Sequence, residues 1–417
     1  MKKIFPLYRV NYSFPKLFYK LLIINLLLDI FSFWSQPGGV TAVLRITLLY
    51  GSIAFLLVLR KASFNINKPI IIFSLYVLGQ LIFAQDVAYS LKVSLQIITS
   101  LMMFFVGYGI IQNENDFIGY IKQFYWIYIL IIVNTILSNY FKVGSDNYTE
   151  SADYMVGGLS DLWNVYTYSL IMLPLLIHYK IRSKYILYFV SIIVLILLIL
   201  SLKRIAIGGV VFAIIGFLFF FKKKMKVFKY LLFFIPIVIS LSPFYADTLE
   251  GRIEARADKG RFESNFYETE ARYMELLMME DWITNFKEPL SILFGLKAFD
   301  TRGALHGGER QFHVDYTLIL YSIGVIGLIL YFSIYFALFR KANKYFKKIK
   351  KSEMLMDEYK IHIISVLVLL LTSLLTSLAG QMYHITFRMM IFMTIGAIFR
   401  LVAIRLNNRP DQIQLES

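Results

Sequence analysis

The stretch ILYFVSIIVLILLILSLKRIAIGGVVFAIIGFLFFF, residues 186–221, decides the fold, because Lys203 and Arg204 are its only charged residues. As one helix its 36 residues would extend about 54 Å. That length is nearly twice the roughly 30 Å of a bilayer's hydrocarbon core. We therefore predict two membrane spans joined by a turn at Lys203–Arg204.

The composition of the whole chain is typical of a polytopic membrane protein. Of its 417 residues 58% are hydrophobic, and the mean hydropathy is +0.64. We predict an all-α fold of about twelve membrane spans. These spans are predicted at residues 17–34, 40–59, 69–85, 91–111, 121–141, 161–178, 186–202, 205–221, 230–246, 314–339, 361–380 and 388–404. The absence of cysteine excludes disulfides, thiolate catalysis and cysteine-ligated metals.

The distribution of Lys and Arg orients the spans, because cytoplasmic loops carry the excess of positive charge. Residues 221–229 hold five lysines and residues 340–351 hold seven basic side chains, so both segments are predicted to be cytoplasmic. With alternating spans, both termini are predicted to lie on that side too, and the apolar run after the basic N-terminal segment lacks the small-residue cleavage site of a signal peptide. The net charge of +16 is then mostly an orientation signal facing anionic lipid. We expect membrane lipid as a partner and no nucleic acid.

One long hydrophilic segment, residues 247–312, is predicted to lie outside the cytoplasm, and it contains thirteen acidic and nine basic side chains. Within it, residues 265–286 are predicted to form an amphipathic helix stopped by Pro289. Its apolar stripe is expected to rest on the outer membrane surface or on the helix bundle, and consists of Tyr267, Ala271, Met274, Met278, Trp282 and Phe286. The predicted organisation is helices 1–9 in residues 1–246, the loop in 247–312, helices 10–12 in 313–404 and a cytoplasmic tail in 405–417.

The turn at Lys203 and Arg204 falls on the outer side, where the charge rule expects no cations. Contact with lipid headgroups or a salt bridge to the external loop is one explanation. The functional alternative is an anion site, in which the guanidinium fork of Arg204 binds phosphate oxygens in pairs and Lys203 adds a point charge. The amides at the start of the following helix would also favour an anion. A phosphate at the outer leaflet below a polar group suggests a lipid-linked diphosphate sugar.

A second candidate group stands where the loop returns to the membrane, at His313, Asp315 and Tyr316. Histidine accepts a proton near neutral pH, and a nearby carboxylate can orient it. The structural alternative is an interfacial histidine that anchors a helix end. Since His, Asp and Glu do not recur with metal-ligand spacing, we predict no cofactor and no protein-bound metal.

Three stretches together resemble the O-antigen polymerase and O-antigen ligase superfamily. They are "SLKRIAIGG" (201–209), "EARYMELLMMEDWITNFKEPLSILFG" (270–295) and "FHVDYTLILYSIGVIGLI" (312–329). By this resemblance Arg204, Arg272 and His313 occupy the catalytic positions of the family. The chain departs from the family where Val314 stands after the histidine in place of the frequent asparagine.

The resemblance implies a GT-C-like membrane glycosyltransferase of the bacterial inner membrane. Its donor would be a polyprenyl-diphosphate-linked oligosaccharide, transferred on the outer face with inversion and without a metal. Arg204 and Arg272 would hold the diphosphate and stabilise the leaving charge, and His313 would be the general base on the acceptor hydroxyl. A chain-length regulator protein is a further expected partner.

Structural explanations compete for several candidate residues. Arg272 has Glu268 and Glu275 at helix-neighbour spacing, so it could belong to an exposed ion pair. Asp29 and Arg45 stand at similar depth in the first two spans and are expected to pair, with a role in lining the substrate cavity as the alternative. The other cations predicted to bind acidic sugars or diphosphate include Arg261 and Arg302.

These observations favour a polymerase that joins lipid-linked repeat units. A ligase, which transfers the glycan to lipid A core, uses the same donor chemistry. A transporter of lipid-linked sugars is the alternative from a different class, since twelve spans fit it as well. Such a transporter should carry ionisable residues near the bilayer midplane and broken helices.

Overall fold

A computed structural model shows a chain built from α-helices. Helix accounts for 89% of the described residues, and these contain no strand. The residues that the structure describes are 16–32, 40–59, 67–142, 159, 163–201, 203–220, 250–251, 253–254, 271–285, 289–295, 297–302, 312, 314–351, 353–380 and 384–407. Within them the helices are α1 (Leu21–Ser32), α2 (Val40–Leu59), α3 (Lys68–Gln80), α4 (Val87–Ile110), α5 (Glu114–Phe141), α6 (Trp163–His178), α7 (Lys184–Leu200), α8 (Arg204–Phe220), α9 (Ala271–Thr284), α10 (Pro289–Phe294), α11 (Asp315–Ile349), α12 (Glu353–Thr376) and α13 (Ile385–Asn407).

Five of these helices, α4, α5, α11, α12 and α13, are long and apolar enough to cross a membrane. Four more helices, α2, α3, α7 and α8, are also apolar, but their apolar stretches are shorter than those of the five long helices. Because a bilayer core needs roughly 20 apolar residues per helix, the five long helices identify a multi-pass helical membrane protein.

Eleven of the twelve predicted spans coincide with described helices, and the ninth, 230–246, lies outside the described residues. The predicted turn at Lys203–Arg204 is confirmed, since α7 ends at Leu200 and α8 begins at Arg204. Three predicted boundaries are wrong by more than five residues, and one of them is the start of α5, which lies at Glu114 instead of 121. Helix α11 continues through the basic segment to Ile349, and α12 begins at Glu353. Lys, Arg, Glu and Met are good helix formers, so both helices continue past their apolar parts.

The two ends of the bundle can be distinguished by their polar contacts. At one end, here called the Arg388 end, Arg388 pairs with Asp315. At the other, the Arg405 end, Arg405 pairs with Glu114, and the Arg400 Nε donates to the carbonyl oxygen of Ile111 at 3.2 Å.

The direction of α8 and the position of α9 can be given relative to these two ends. Gly209 of α8 lies near Thr372 and Thr376 of α12, whereas Gly216 lies near Val368, so the two helices are antiparallel. Helix α8 therefore runs away from the Arg388 end. Helix α9 contacts the start of α11, at the Arg388 end.

Glycine allows the close contact between α4 and α13. A Cβ on Gly107 would collide with the carbonyl oxygen of Met393, and one on Gly396 would collide with that of Phe104. The two backbones approach as small residues permit in membrane helix pairs. This contact fixes α13, which carries Arg388.

Helix α11 is sharply bent at Gly324, which has φ 71° and ψ −176°. The Tyr316 and Phe332 rings stack with centroids 5.5 Å apart, although 16 residues of straight helix would separate them by about 24 Å. Residues 315–323, the short arm, therefore fold back beside residues 325–349, the long arm. The single span predicted at 314–339 is thus not continuous.

The bend is closed by α10 and the residues that follow it. The carbonyl oxygen of Ser322 accepts from the N–H groups of Lys297 and Ala298 at 3.2 and 3.1 Å. That of Ile323 accepts from the Tyr76 hydroxyl at 3.0 Å. Carbonyls next to a helix break need such partners, since irregular backbone at membrane depth must be satisfied by protein or by water.

The loop helix α9 rests on the helix bundle, one of the two predicted positions. Its Trp282 ring lies 5.5 Å from the ring of Tyr321 on the short arm. The predicted stripe is partly wrong, because Met274 is exposed and Glu275 and Met279 are buried in its place. Pro289 does not stop this helix, which ends at Thr284, but is the first residue of α10. Proline suits that position because its missing N–H is not needed there.

Candidate functional site

The turn between α7 and α8 presents Arg204 at the start of a helix. The Ser201 hydroxyl accepts the Lys203 N–H at 3.1 Å. The Lys203 carbonyl accepts the N–H groups of Ala206 and Ile207 at 2.9 and 3.1 Å, which closes the first turn of α8. Arg204 is exposed and Lys203 half-buried. Among the described residues, no carboxylate forms a salt bridge with Arg204. An exposed guanidinium beside the positive end of a helix dipole favours an anion.

The start of α8 lies beside α6 and the last turns of α12. The Thr167 hydroxyl of α6 donates to the carbonyl oxygen of Ala206 at 3.0 Å. The start of α11 adjoins the same turns of α12, since the Tyr316 hydroxyl donates to the carbonyl oxygen of Leu374 at 2.6 Å. Arg204 and the start of α11 therefore belong to the same end of the bundle. Tyr316, predicted to bind substrate, also packs on Phe332 and so supports the bend in α11.

Asp315, the other residue predicted to bind substrate at the start of α11, is fully buried and pairs with Arg388. The Arg388 Nη1 also donates to the hydroxyls of Tyr335 at 2.9 Å and Tyr331 at 3.1 Å. Its Nη2 donates to the Ser377 hydroxyl at 2.8 Å. A buried ion pair is maintained only when such additional hydrogen bonds compensate for its lost hydration. The Asp315 carboxylate is therefore occupied by its buried pair with Arg388.

Glu275 connects the loop helix α9 to the start of α11. Its buried carboxylate accepts the N–H of Val314 at 3.0 Å and the hydroxyl of Thr317 at 3.3 Å. A carboxylate at a helix start binds the amides that have no partner within the helix. Glu275 thus holds the residue that follows His313.

The predicted pair of Asp29 and Arg45 is confirmed. Asp29 also accepts a hydrogen bond from Thr386 at the start of α13, and Asn25 donates to the same hydroxyl at 2.7 Å. The pair therefore joins α1 and α2 to the helix that carries Arg388. Its role in lining a substrate cavity stays a prediction.

Arg302 is paired with two carboxylates and stacks on a ring. Its guanidinium contacts Asp300 at 2.7 Å and Asp86 at 2.9 Å, and its Cζ lies 3.9 Å from the centroid of Tyr89. Hydrogen bonds from Arg302 hold the pKa of Asp300 below its ordinary value. The Tyr89 N–H, and then Arg302, do the same to the pKa of Asp86. The two carboxylates raise the pKa of Arg302 in turn. The residue predicted to bind substrate is thus occupied in joining the loop to the α3–α4 corner.

The remaining predicted residues can be located only in part. His313 and Arg261 lie outside the described residues. Arg272 belongs to α9, although its side chain is outside the described part. His313 stands between two buried residues, Phe312 and Val314, of which the first donates its N–H to the Thr301 hydroxyl at 3.1 Å.

Two residues at this end were not predicted from the sequence. Arg388 is one, and its signal was an arginine at the start of an otherwise apolar span. His384 is the other: its imidazole is exposed and lies 5.9 Å from the Phe387 ring. Phe387 in turn stacks on Tyr168 of α6, so the His384 imidazole is at the Arg388 end.

The described residues contain no group of three His, Asp or Glu side chains that could hold a metal ion. That the chain needs no metal stays a prediction. No protein-family profile and no curated protein matches the chain.

Proposed function

We propose that the chain is a membrane glycosyltransferase that polymerises polyprenyl-diphosphate-linked oligosaccharides, as in O-antigen or surface-polysaccharide synthesis. The observation that carries this proposal is Arg204, an exposed arginine at the start of α8, on the same end of the bundle as the start of α11. A phosphate at this position would meet a guanidinium fork and helix amides together. An acceptor base is expected from His313, which immediately precedes Val314.

The proposed topology has twelve spans of GT-C-like type with both termini in the cytoplasm of a bacterium. The basic residues of α11 beyond 339 and Arg405 of α13 are at the Arg405 end, which supports a cytoplasmic assignment of that end. The Arg388 end would then be extracytoplasmic. Residues 230–246 are the apolar candidate for the return crossing between α8 and α9. A reporter fused after Lys203 should be extracytoplasmic, and a cytoplasmic signal would overturn this topology.

In the proposed reaction, Arg204 and Arg272 hold the donor diphosphate at the outer leaflet. His313 removes the proton from the acceptor hydroxyl as the acceptor oxygen bonds to the anomeric carbon. The bond from that carbon to the diphosphate breaks with inversion, and the arginines stabilise the developing negative charge. The loop that contains α9 excludes water from the site.

Single substitutions test the assigned roles. Arg204→Ala and His313→Ala should each abolish polymer while leaving folded protein in the membrane, and His384→Ala serves as the imidazole control. If His384→Ala abolishes polymer and His313→Ala does not, the base is His384. Wild-type polymer length in the Arg204 variant would remove Arg204 from the mechanism. Arg272→Lys should be nearly as harmful as Arg272→Ala, because lysine lacks the fork.

Reconstitution distinguishes a polymerase from a ligase. Purified protein is incubated with polyprenyl-diphosphate-linked repeat units, with and without lipid A core. A ladder without the core identifies a polymerase, and transfer only with the core identifies a ligase. The absence of any transfer would contradict both.

A transporter of lipid-linked sugars is the second candidate, and two observations favour it. The Arg388–Asp315 pair is buried among membrane helices, and α11 is broken at Gly324. Both features are typical of transporters. However, the pair and the break stabilise each other within the fold, and Arg204 has no part in them. Movement of a lipid-linked glycan across proteoliposomes, without transfer, would establish the transporter.

A further inference from the structure

The bend in α11 brings two parts of the helix to a single guanidinium. Arg388 pairs with Asp315 on the short arm and donates to Tyr331 and Tyr335 on the long arm. In a straight helix Asp315 and Tyr335 would be about 30 Å apart, beyond the reach of one side chain. Arg388 therefore joins the two arms at the open side of the bend.

The geometry needs an arginine at this position. The two terminal nitrogens of Arg388 divide their hydrogen bonds, so that Nη2 serves Asp315 and Ser377 whereas Nη1 serves the two tyrosines. A lysine would retain the charge, but its single nitrogen cannot reproduce this planar fork. The whole arrangement is buried, so any lost partner would leave a charge or a donor without hydration.

The same short arm fixes the backbone on either side of His313. Val314 donates its N–H to Glu275, and Phe312 donates its N–H to Thr301. The opposite side of the arm is tied to the long arm through Asp315 and the Tyr316–Phe332 stack. The Phe312 ring packs on Tyr321 of the short arm with centroids 5.0 Å apart, and Thr317 of that arm donates to the Glu275 carboxylate that binds Val314. The neighbours of His313 are thus in contact with the folded-back arm.

We propose that Arg388 is a positioning residue: by tying the short arm to the long arm, it fixes Phe312 and Val314, the described neighbours of the proposed base His313. This inference rests on the proposed function for the role of His313, but the clamp itself does not. Arg388 touches neither donor nor acceptor, and acts through Asp315.

The clamp is tested without any enzymatic assay. Because the chain has no cysteine, Tyr316→Cys with Phe332→Cys provides a unique pair for a short bifunctional thiol reagent. With Arg388 present the pair should cross-link. Adding Arg388→Gln should lower the yield at least about tenfold, because removing one partner of a buried ion pair shifts the equilibrium between closed and open arms by that much. Arg45→Gln removes another arginine–aspartate pair at this end and should leave the yield unchanged.

The cross-linking result has clear contradicting outcomes. Equal yields with Arg388 and with Gln at that position would show that the clamp does not hold the arms. No cross-link in either protein would contradict the fold-back itself. The double neutral variant Asp315→Asn with Arg388→Gln leaves no buried charge unpaired, so it keeps the comparison open if Arg388→Gln alone fails to fold.

Kinetics test whether the clamp positions the base. Arg388→Lys should lower kcat about 100-fold, the effect of misplacing a reacting group by about 1 Å, with KM for the lipid-diphosphate donor nearly unchanged. Arg405→Gln, which breaks an ion pair at the opposite end, should retain wild-type kcat. Asp315→Asn and Arg388→Gln should be non-additive when combined, because they act as one unit. Additive losses, or a rise in KM alone, would overturn the positioning role.

The two proposals fail in distinguishable ways. If the wild-type protein makes no polymer, the proposed function fails. The dependence of the cross-link on Arg388 is then still tested independently by the cross-linking yields. If polymer forms and the Arg388 variants keep both kcat and the cross-link, only the inference about Arg388 fails.

Discussion

Two arginines at the Arg388 end of the bundle differ in nearly every physical respect. Arg204 is exposed at the start of α8, and no salt bridge forms with it among the described residues. Arg388 is only 2% exposed and binds a carboxylate and four hydroxyls. The comparison teaches that a cationic side chain in a membrane protein can bind a ligand only if it is not already paired with other groups of the protein. By this criterion Arg204 is the binding candidate and Arg388 is part of the fold.

Stability provides the largest expected difference between the two arginines. Arg388→Gln leaves Asp315 buried without its partner, so we expect a loss of about 3–5 kcal/mol in the free energy of unfolding. Arg204→Gln removes an exposed side chain, and the loss should stay below about 0.5 kcal/mol. Thermal unfolding in detergent measures both. Equal Tm values for the two variants would erase the distinction.

The bend that places Asp315 beside Arg388 provides the second test. Gly324→Ala requires an alanine at φ 71° and a collision of its Cβ with the carbonyl oxygen of Leu293. We expect destabilisation by about 1–3 kcal/mol. Gly208→Ala is the matched control, since a Cβ there meets nothing within 4 Å and alanine favours the helix of Arg204. A Gly324 variant as stable as the control would contradict the bend.

Substitution of Arg302 is expected to have the smallest effect. In exposure and pairing, Arg302 is intermediate between Arg204 and Arg388. It is partly exposed and paired with Asp86 and Asp300, whose pKa values are lowered in the folded protein. A lowered folded pKa stabilises the protein above the unfolded value of about 3.9, and the contribution is lost as the pH falls through the folded pKa. Arg302→Gln should therefore reduce Tm slightly at pH 7 and not at all below the folded pKa values. A pH-independent difference would indicate that Arg302 acts through its packing on Tyr89.

The helices and the Lys203–Arg204 turn were predictable because they depend on local properties. Apolar length relative to bilayer thickness located eleven helices, five of which are long and apolar enough to cross a membrane. Depth along two neighbouring helices was sufficient to predict the Asp29–Arg45 pair. These features depend on residues that are close in sequence or on the depth of a residue in the membrane, and both can be estimated from the sequence.

The Arg388 centre was not predictable, because its partners are joined only by the fold. Arg388 is 73 residues from Asp315, and the two meet only because α11 bends back on itself. Gly324 stands among apolar residues, with Gly327 three positions later, so nothing in this stretch predicts a break at one glycine rather than the other. The break depends on α10 and Tyr76, which supply donors to the carbonyls beside it. Glu275 similarly looked like a partner of Arg272, and its contacts with Val314 and Thr317 required the folded loop.

Binding of a short-chain polyprenyl diphosphate to protein in nanodiscs tests most directly whether Arg204 serves a ligand. Arg204→Gln should raise Kd at least about tenfold, since a charge-assisted contact contributes about 1.5–3 kcal/mol. Arg340→Gln, which removes an exposed arginine of α11 away from this end, should leave Kd unchanged. The same Kd for wild type and Arg204→Gln would contradict the assignment of Arg204 to the diphosphate.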